Sequence, residues 1–189
     1  MIVLVVGGIG VGKSSVMEII ASLGGNTIYA DKINKELLED KEYLTILSNT
    51  FERVFVKGIL DKNKLRELIV ADSDARLTLN EIAHPRIFKL ISERTLDNVL
   101  NFVEIPLLSK CPKDFKYDKI CAVTAPNEMR VKRVVERDNV SYEQAQNIIN
   151  IQQEEDNVVD VADFIISNDG DYTKLLQQTE IMFKQCQKG

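Results

Sequence analysis

Gly7-Gly8-Ile9-Gly10-Val11-Gly12-Lys13-Ser14 sets glycines, a lysine and a hydroxyl at the spacing G-x-x-x-x-G-K-[ST]. The chemistry served by that spacing is the holding of a polyphosphate. Glycines at 7, 8, 10 and 12 let the chain curl with its N–H groups inward, where a bulky side chain would block approach or forbid positive φ. Lys13 can reach β- and γ-phosphates as a point charge, and Ser14 can offer its hydroxyl to Mg²⁺. A helix beginning at the end of the loop adds its dipole and unpaired amide donors. The ligand indicated is a nucleoside triphosphate; the loop alone does not say what is done with it.

Other residues could do chemistry too. Asp31 follows the short apolar run Asn26-Thr27-Ile28-Tyr29-Ala30, which reads as a strand. Ligands of open α/β sheets sit at the carboxyl ends of strands, so Asp31 falls on the same edge as the loop. It is a candidate base or metal ligand, and equally a candidate helix N-cap. His84, the one histidine, precedes Pro85, and by itself it suits a structural hydrogen bond as well as catalysis. Arg130, Arg133 and Arg137 fall at helical spacing on one face. Such a face is either solvated surface or an arginine clamp on phosphates.

These residues need elements to position them. Ile2-Val3-Leu4-Val5-Val6 before the loop is the continuous β-branched run of a fully buried parallel strand, and Ser15 to Ala21 reads as the helix after it. Gly24-Gly25 closes that helix. Further strands are expected at Phe102-Val103-Glu104-Ile105-Pro106, Lys119 to Thr124 and Phe164 to Ser167. Residues 41–100 read as helical, with Gly58-Ile59-Leu60-Asp61 a turn and N-cap, and with one helix ending at His84 and a new one starting at Pro85. Pro126 sits near the start of a helix running to about Arg137, with Pro near N1. Ser141 and Gln144 form a capping box for a helix running to about Gln153, and the two helices can act as a lid. A closing helix spans about Tyr172 to Gln187. Alternating strands and helices predict a five-stranded parallel sheet of the phosphate-loop type, covered by helices on both faces.

Composition bounds the rest. At 189 residues, 44% hydrophobic and 28% charged, the chain suits one α/β domain with its own core. A net charge of −5 argues against a large nucleic-acid footprint and leaves room for a local basic pocket. No apolar run is long enough for a membrane span and no leader pattern precedes the first strand, so a cytoplasmic, membrane-free protein is expected. Cys111, Cys121 and Cys186 are scattered and odd in number, which fits a reducing compartment rather than a disulfide framework or zinc site.

Among phosphate-loop proteins, a regulatory GTPase would need Asp-x-x-Gly, which occurs nowhere, and Asn34-Lys35-Glu36-Leu37 lacks the aspartate of a guanine reader. A motor ATPase would carry a strand ending in Asp or Asp-Glu, whereas the candidates end in Ile105-Pro106 and Thr124-Ala125. Small-molecule kinases remain, and within them the sequence resembles dephospho-coenzyme A kinase nearly end to end. The resemblance rests on the loop through Ser15, Ala30-Asp31-Lys32-Ile33, and Gly58-Ile59-Leu60-Asp61 leading to Leu65-Arg66. It continues through His84-Pro85-Arg86-Ile87, Pro106-Leu107-Leu108, then Arg133, Arg137 and Gln152, Ala162-Asp163 and Asn168-Asp169-Gly170. Tyr29, Lys110 and Phe51-Glu52 depart from the family pattern, Tyr29 standing where the family often has the first aspartate of a pair, which leaves Asp31 as the sole carboxylate there.

The resemblance implies transfer of the ATP γ-phosphate to the ribose 3′-hydroxyl of dephospho-coenzyme A, with Mg²⁺ on Ser14. It implies that Gly8, Gly10, Val11, Gly12, Lys13, Ser14 and Ser15 hold the phosphates and that Asn168 and Gly170 flank the adenine. It gives Asp31, Lys13, Arg133 and Arg137 catalytic roles. Asp31, Arg66, His84, Pro106, Leu107 and Leu108 would line the acceptor site, within a helical acceptor-binding insertion over about 32–100; the helical lid covers about 130–155. Another small-molecule kinase, such as a nucleoside monophosphate kinase, and a non-catalytic nucleotide-binding subunit are the alternatives. Oligomeric state is left open.

Overall fold

The structure, a computed structural model, describes residues 1–106, 108–152 and 158–188, apart from the side chain of Lys110. It divides into two compact units, Met1–Tyr29 with Arg94–Gly189, and Ala30–Glu93.

The first unit holds a five-stranded parallel sheet. Its strands are β1 (Ile2–Val6) and β2 (Asn26–Tyr29), then, after two short strands of the other unit, β5 (Asn101–Glu104), β6 (Lys119–Thr124) and β7 (Phe164–Ser167). Their spatial order is β2-β5-β1-β6-β7. The central place of β1 follows from its sequence: Val3, Leu4, Val5 and Val6 are all fully buried, so neither face tolerates a polar residue. On one face, Val3, Val5, Phe102, Cys121 and Val123 pack with Val16, Met17 and Ile20 of α1 (Lys13–Ser22) and Met182 and Phe183 of α8 (Tyr172–Cys186). The Phe102 and Phe183 rings stack with centroids 5.7 Å apart. Truncating a buried ring such as Phe102 to alanine would cost roughly 3–5 kcal/mol. Gly25 is required by this packing, since a Cβ there would lie 2.6 Å from Ile20 Cγ2.

The expected strands at 119–124 and 164–167 agree with β6 and β7, and register sets the site. Val5 of β1 and Tyr29 of β2 both pair with Glu104, the last residue of β5. Asp163 ties the start of β6 to the entry of β7: it pairs with Lys119 Nζ at 2.8 Å and accepts from the Ile120 amide at 2.8 Å. Beyond β6, α6 (Asn127–Asp138) and α7 (Tyr142–Ile151) form a helical hairpin. Val131, Val134, Ala145 and Ile149 are its buried seam. The capping box of Ser141 and Gln144 is present, whereas Pro126 is the N-cap of α6, one position before the expected N1.

The second unit contains α2 (Ala30–Leu37), α3 (Lys41–Thr50), β3 (Phe55–Val56), β4 (Ile59–Leu60), α4 (Lys62–Ala71) and most of α5 (Ser73–Arg94). Three expectations change here. Ile59-Leu60 is a strand of a small hairpin with Phe55-Val56, turned through Lys57 and Gly58, both at positive φ. Asp61 is the N-cap of α4 as expected, accepting from the amides of Asn63 and Lys64. The helix does not break at His84-Pro85: α5 runs through Pro85. One missing donor is tolerated because Ala83, Ile87 and Ile91 keep a single buried face across it. Ala30 opens a helix rather than ending a strand, so Asp31 lies in the first turn of α2.

Candidate active site

The phosphate loop connects β1 to α1. Gly10 and Gly12 take φ of 79° and 91°, a conformation L side chains rarely adopt. Close packing demands glycine at both as well. A Cβ on Gly10 would lie 2.7 Å from the Arg130 carbonyl oxygen, and one on Gly12 would lie 2.1 Å from Asn168 Nδ2. At Gly12, α1 begins with no capping side chain and no acid in its first turn. That leaves the positive helix end to serve an anion. Ser14 is exposed in this first turn, Ser15 is half-buried, and Gly8 and Val11 are buried.

Lys13 Nζ donates to the Gly7 carbonyl at 2.8 Å and lies 3.9 Å from Glu104 Oε1. Glu104 was not singled out from the sequence. The available signal was an acid closing an otherwise apolar strand, and the register carries it to the strand beside β1.

The α6 arginines divide. Arg130 is 6% exposed, and its Nε donates to the Ile9 carbonyl at 3.0 Å. Arg133 Nη1 donates to the Gly10 and Val11 carbonyls at 3.1 and 3.2 Å. Its Nη2 donates to the backbone and side-chain oxygens of Asn168 at 3.3 and 3.0 Å. The fork expected on a transferring phosphoryl group is thus engaged with the loop backbone. Arg137 is exposed and forms a bidentate pair with Asp138 at 2.7 Å, which raises its pKa further. Asn168 Nδ2 donates to the Val11 carbonyl at 2.9 Å, and its amide donates to Thr124 at 2.8 Å. Gly170 has φ of 101°, and a Cβ there would meet Met129 Cε at 2.6 Å. From the end of α7, Gln152 Oε1 accepts from the Ile9 amide at 2.9 Å. Arg130 and Gln152 were visible in the sequence, but helical spacing says nothing of a backbone group more than a hundred residues away.

Pro106 is exposed after β5, Leu108 is half-buried in the 3-10 turn Leu108–Lys110, and Leu107 lies outside the described residues. The remaining candidates belong to the second unit. There Asp31 is exposed on α2, Arg66 is exposed on α4, and His84 is half-buried on α5.

Cysteine chemistry is disfavoured. Burial pushes the Cys121 thiol up to about 12 and the Cys111 thiol up to about 11, so both are protonated at neutral pH. Among the described residues no cluster of three or more His, Cys, Asp or Glu could hold a metal. The donor set suits a Mg²⁺ that arrives on phosphates: an exposed hydroxyl, Ser14, at the loop's end, and no carboxylate cage. No helix of the described residues is long and apolar enough to cross a membrane.

Comparison with known proteins identifies what carries such a site. The family model described as dephospho-CoA kinase matches residues 1–174. A dephospho-CoA kinase of Fusobacterium nucleatum is 32% identical over 185 residues, 95% of each chain. Among solved structures, TT1252 from Thermus thermophilus superimposes with a TM-score of 0.87 at 28% identity, covering 100% of this chain and 98% of its own. Dephospho-CoA kinase from Campylobacter jejuni superimposes with a TM-score of 0.72 at 29% identity, with the same coverage.

Proposed function

The chain belongs to the dephospho-CoA kinase family, and we propose on that footing how its residues divide the work. The enzyme is an ATP-using kinase that acts on dephospho-CoA. The finer reading is that the ribose 3′-hydroxyl attacks the γ-phosphorus in line. The O3′–P bond forms as the bond to the β-phosphate oxygen breaks, releasing ADP. Such transfers ask little covalent chemistry of the protein, so positioning and charge neutralisation dominate.

Lys13 moves from the Gly7 carbonyl and Glu104 to the β- and γ-phosphates. Ser14 would hold a Mg²⁺ that arrives with the nucleotide, and the ion would neutralise charge on the phosphates. Arg137 exchanges Asp138 for the transferring group. The backbone at Asn168 and Gly170 borders the adenine. Asp31 orients the hydroxyl and takes its proton, while Arg66, His84 and the Pro106-Leu107-Leu108 segment contact the acceptor. The observation that carries the reading is the uncapped, acid-free start of α1 behind a loop that ends in Lys13 and Ser14.

Release of ADP measured against dephospho-CoA, AMP, CMP and shikimate tests it. Only the first should support turnover, and equal rates with AMP would replace this reading with a nucleoside monophosphate kinase. Lys13→Ala should abolish transfer in a folded protein; an unchanged turnover number would remove the loop from the mechanism.

A further inference from the structure

Three consecutive carbonyls at the crest of the loop, those of Ile9, Gly10 and Val11, accept from arginine side chains of α6. Asn168 adds a second donor to the last of them. The peptide before this run is held through its N–H, which donates to Gln152. All peptide bonds described are trans. In a planar trans peptide the C=O of one residue and the N–H of the next point in opposite directions. Fixing the carbonyls of Ile9, Gly10 and Val11 toward α6 therefore fixes the N–H groups of Gly10, Val11 and Gly12 away from it. Those are amides a phosphate would need. A Cβ on Gly10 would run into the Arg130 backbone and one on Gly12 into the Asn168 side chain, so only glycine lets the loop come this close to α6 and Asn168. The glycines thus permit the clasp as much as they permit the ligand.

We propose that Arg130, Arg133 and Gln152 are positioning residues that act through the loop. They hold its backbone in the amide-inward form before nucleotide arrives, and Arg133 does not itself clamp the transferring phosphoryl group. The proposal rests on the reading of the loop as the ATP phosphate site. Arginine suits the task because one planar fork serves two adjacent carbonyls and Asn168 together, and a lysine ammonium on its flexible stem cannot hold that geometry.

The two roles for Arg133 part in binding measured without acceptor. A positioning role acts on every ligand with phosphates on the loop, in the ground state as in the transition state, so it raises KM for ATP with kcat little changed. A direct clamp acts on the transition state, so it lowers kcat and leaves ADP affinity alone. Titration of ADP into Arg133→Lys and Arg130→Lys is expected to give dissociation constants about 10- to 100-fold weaker, the scale of one or two charge-assisted hydrogen bonds. Adenosine, which has no phosphate, should bind Arg130→Lys as it binds wild type, since Arg130 bonds the Ile9 carbonyl and not Asn168. For Gln152 the pair of variants decides: Gln152→Ala should weaken ADP, and Gln152→Glu, which keeps an acceptor for the Ile9 amide, should restore it. Each variant's melting temperature without nucleotide identifies any that fails to fold, and the Gln152 pair then carries the test. Wild-type ADP affinity with lowered kcat in Arg133→Lys would overturn the proposal. So would equal ADP affinity in Gln152→Ala and wild type. Because these titrations contain no acceptor, failure of the acceptor assignment leaves their outcome unchanged.

Discussion

Lys13 stands between two acceptors, the Gly7 carbonyl and the Glu104 carboxylate, with its side chain 12% exposed. An ammonium so placed is desolvated and partly neutralised, so on the proposed reading an incoming polyphosphate would gain it by exchange rather than by stripping it of water. Asp31 is different: exposed, in the first turn of α2, and free of any packing role visible in its burial. If the helix dipole were its purpose, an acid there would contribute about 0.3–1 kcal/mol and little else. A ribose hydroxyl holds its proton tightly, and a carboxylate in hydrogen-bond reach contributes about 10²–10⁴-fold by accepting it. Asp31→Asn keeps the shape and loses the base. We expect a melting temperature within a degree or two of wild type, about 10²–10⁴-fold lower turnover, and unchanged ADP affinity. Near-normal turnover on the same preparation would leave Asp31 as a helix-end charge only. The loop, Lys13 and Ser14 were legible because a fixed local spacing encodes them. Glu104 was not, because its role comes from the register of β5 against β1, a pairing across nearly a hundred residues.

At the scale of elements, the sheet strands from 102 onward were legible as apolar runs, and the start of α7 from its capping box. The β3–β4 hairpin was not, since two-residue strands show no alternation to read. The unbroken α5 was misread because proline is a local signal and a continuous buried face outweighs it. Asp163 gives the element scale its own prediction. The Lys119 hydrogen bond, then the Ile120 amide, holds its carboxyl below the ordinary 3.8. A lowered folded-state pKa contributes stability that is present above the unfolded value and lost as pH falls through the folded one. Asp163→Asn should therefore melt below wild type near neutral pH, by a small margin because both side chains reach solvent, 43% and 33% exposed. The gap should close as the pH drops past 3.8. Melting curves from pH 7 to pH 2.5 check this; a gap that stays constant into acid would show that shape, not charge, joins β6 to β7.

Over the whole molecule the formal charge is −5, yet Lys13, Arg130 and Arg133, all in one unit, bond to carbonyls of the loop, an arrangement that suits a polyanion. The same arrangement couples the loop to the helical hairpin. The α6–α7 hairpin has a seam of four buried residues, and Gln152 extends from its end to the Ile9 amide. A seam that small predicts local opening at lower free energy than the sheet, where β1 is buried on both faces. A nucleotide that fixed the loop would also fix the Ile9 peptide, and through Gln152 it would stabilise the packed form of α7. Hydrogen exchange over residues 140–152 should therefore be the fastest of any helix in the first unit without ligand. It should slow by about tenfold or more with ADP at saturating concentration, while β1 and β6 stay slow throughout. The Gln152→Ala variant should lose most of this slowing even when ADP is raised to saturate it, because the tether and not occupancy transmits the effect. Exchange over 140–152 that is equally slow with and without ADP would mean that the hairpin is as firmly built as the sheet and that the loop and α7 are energetically independent.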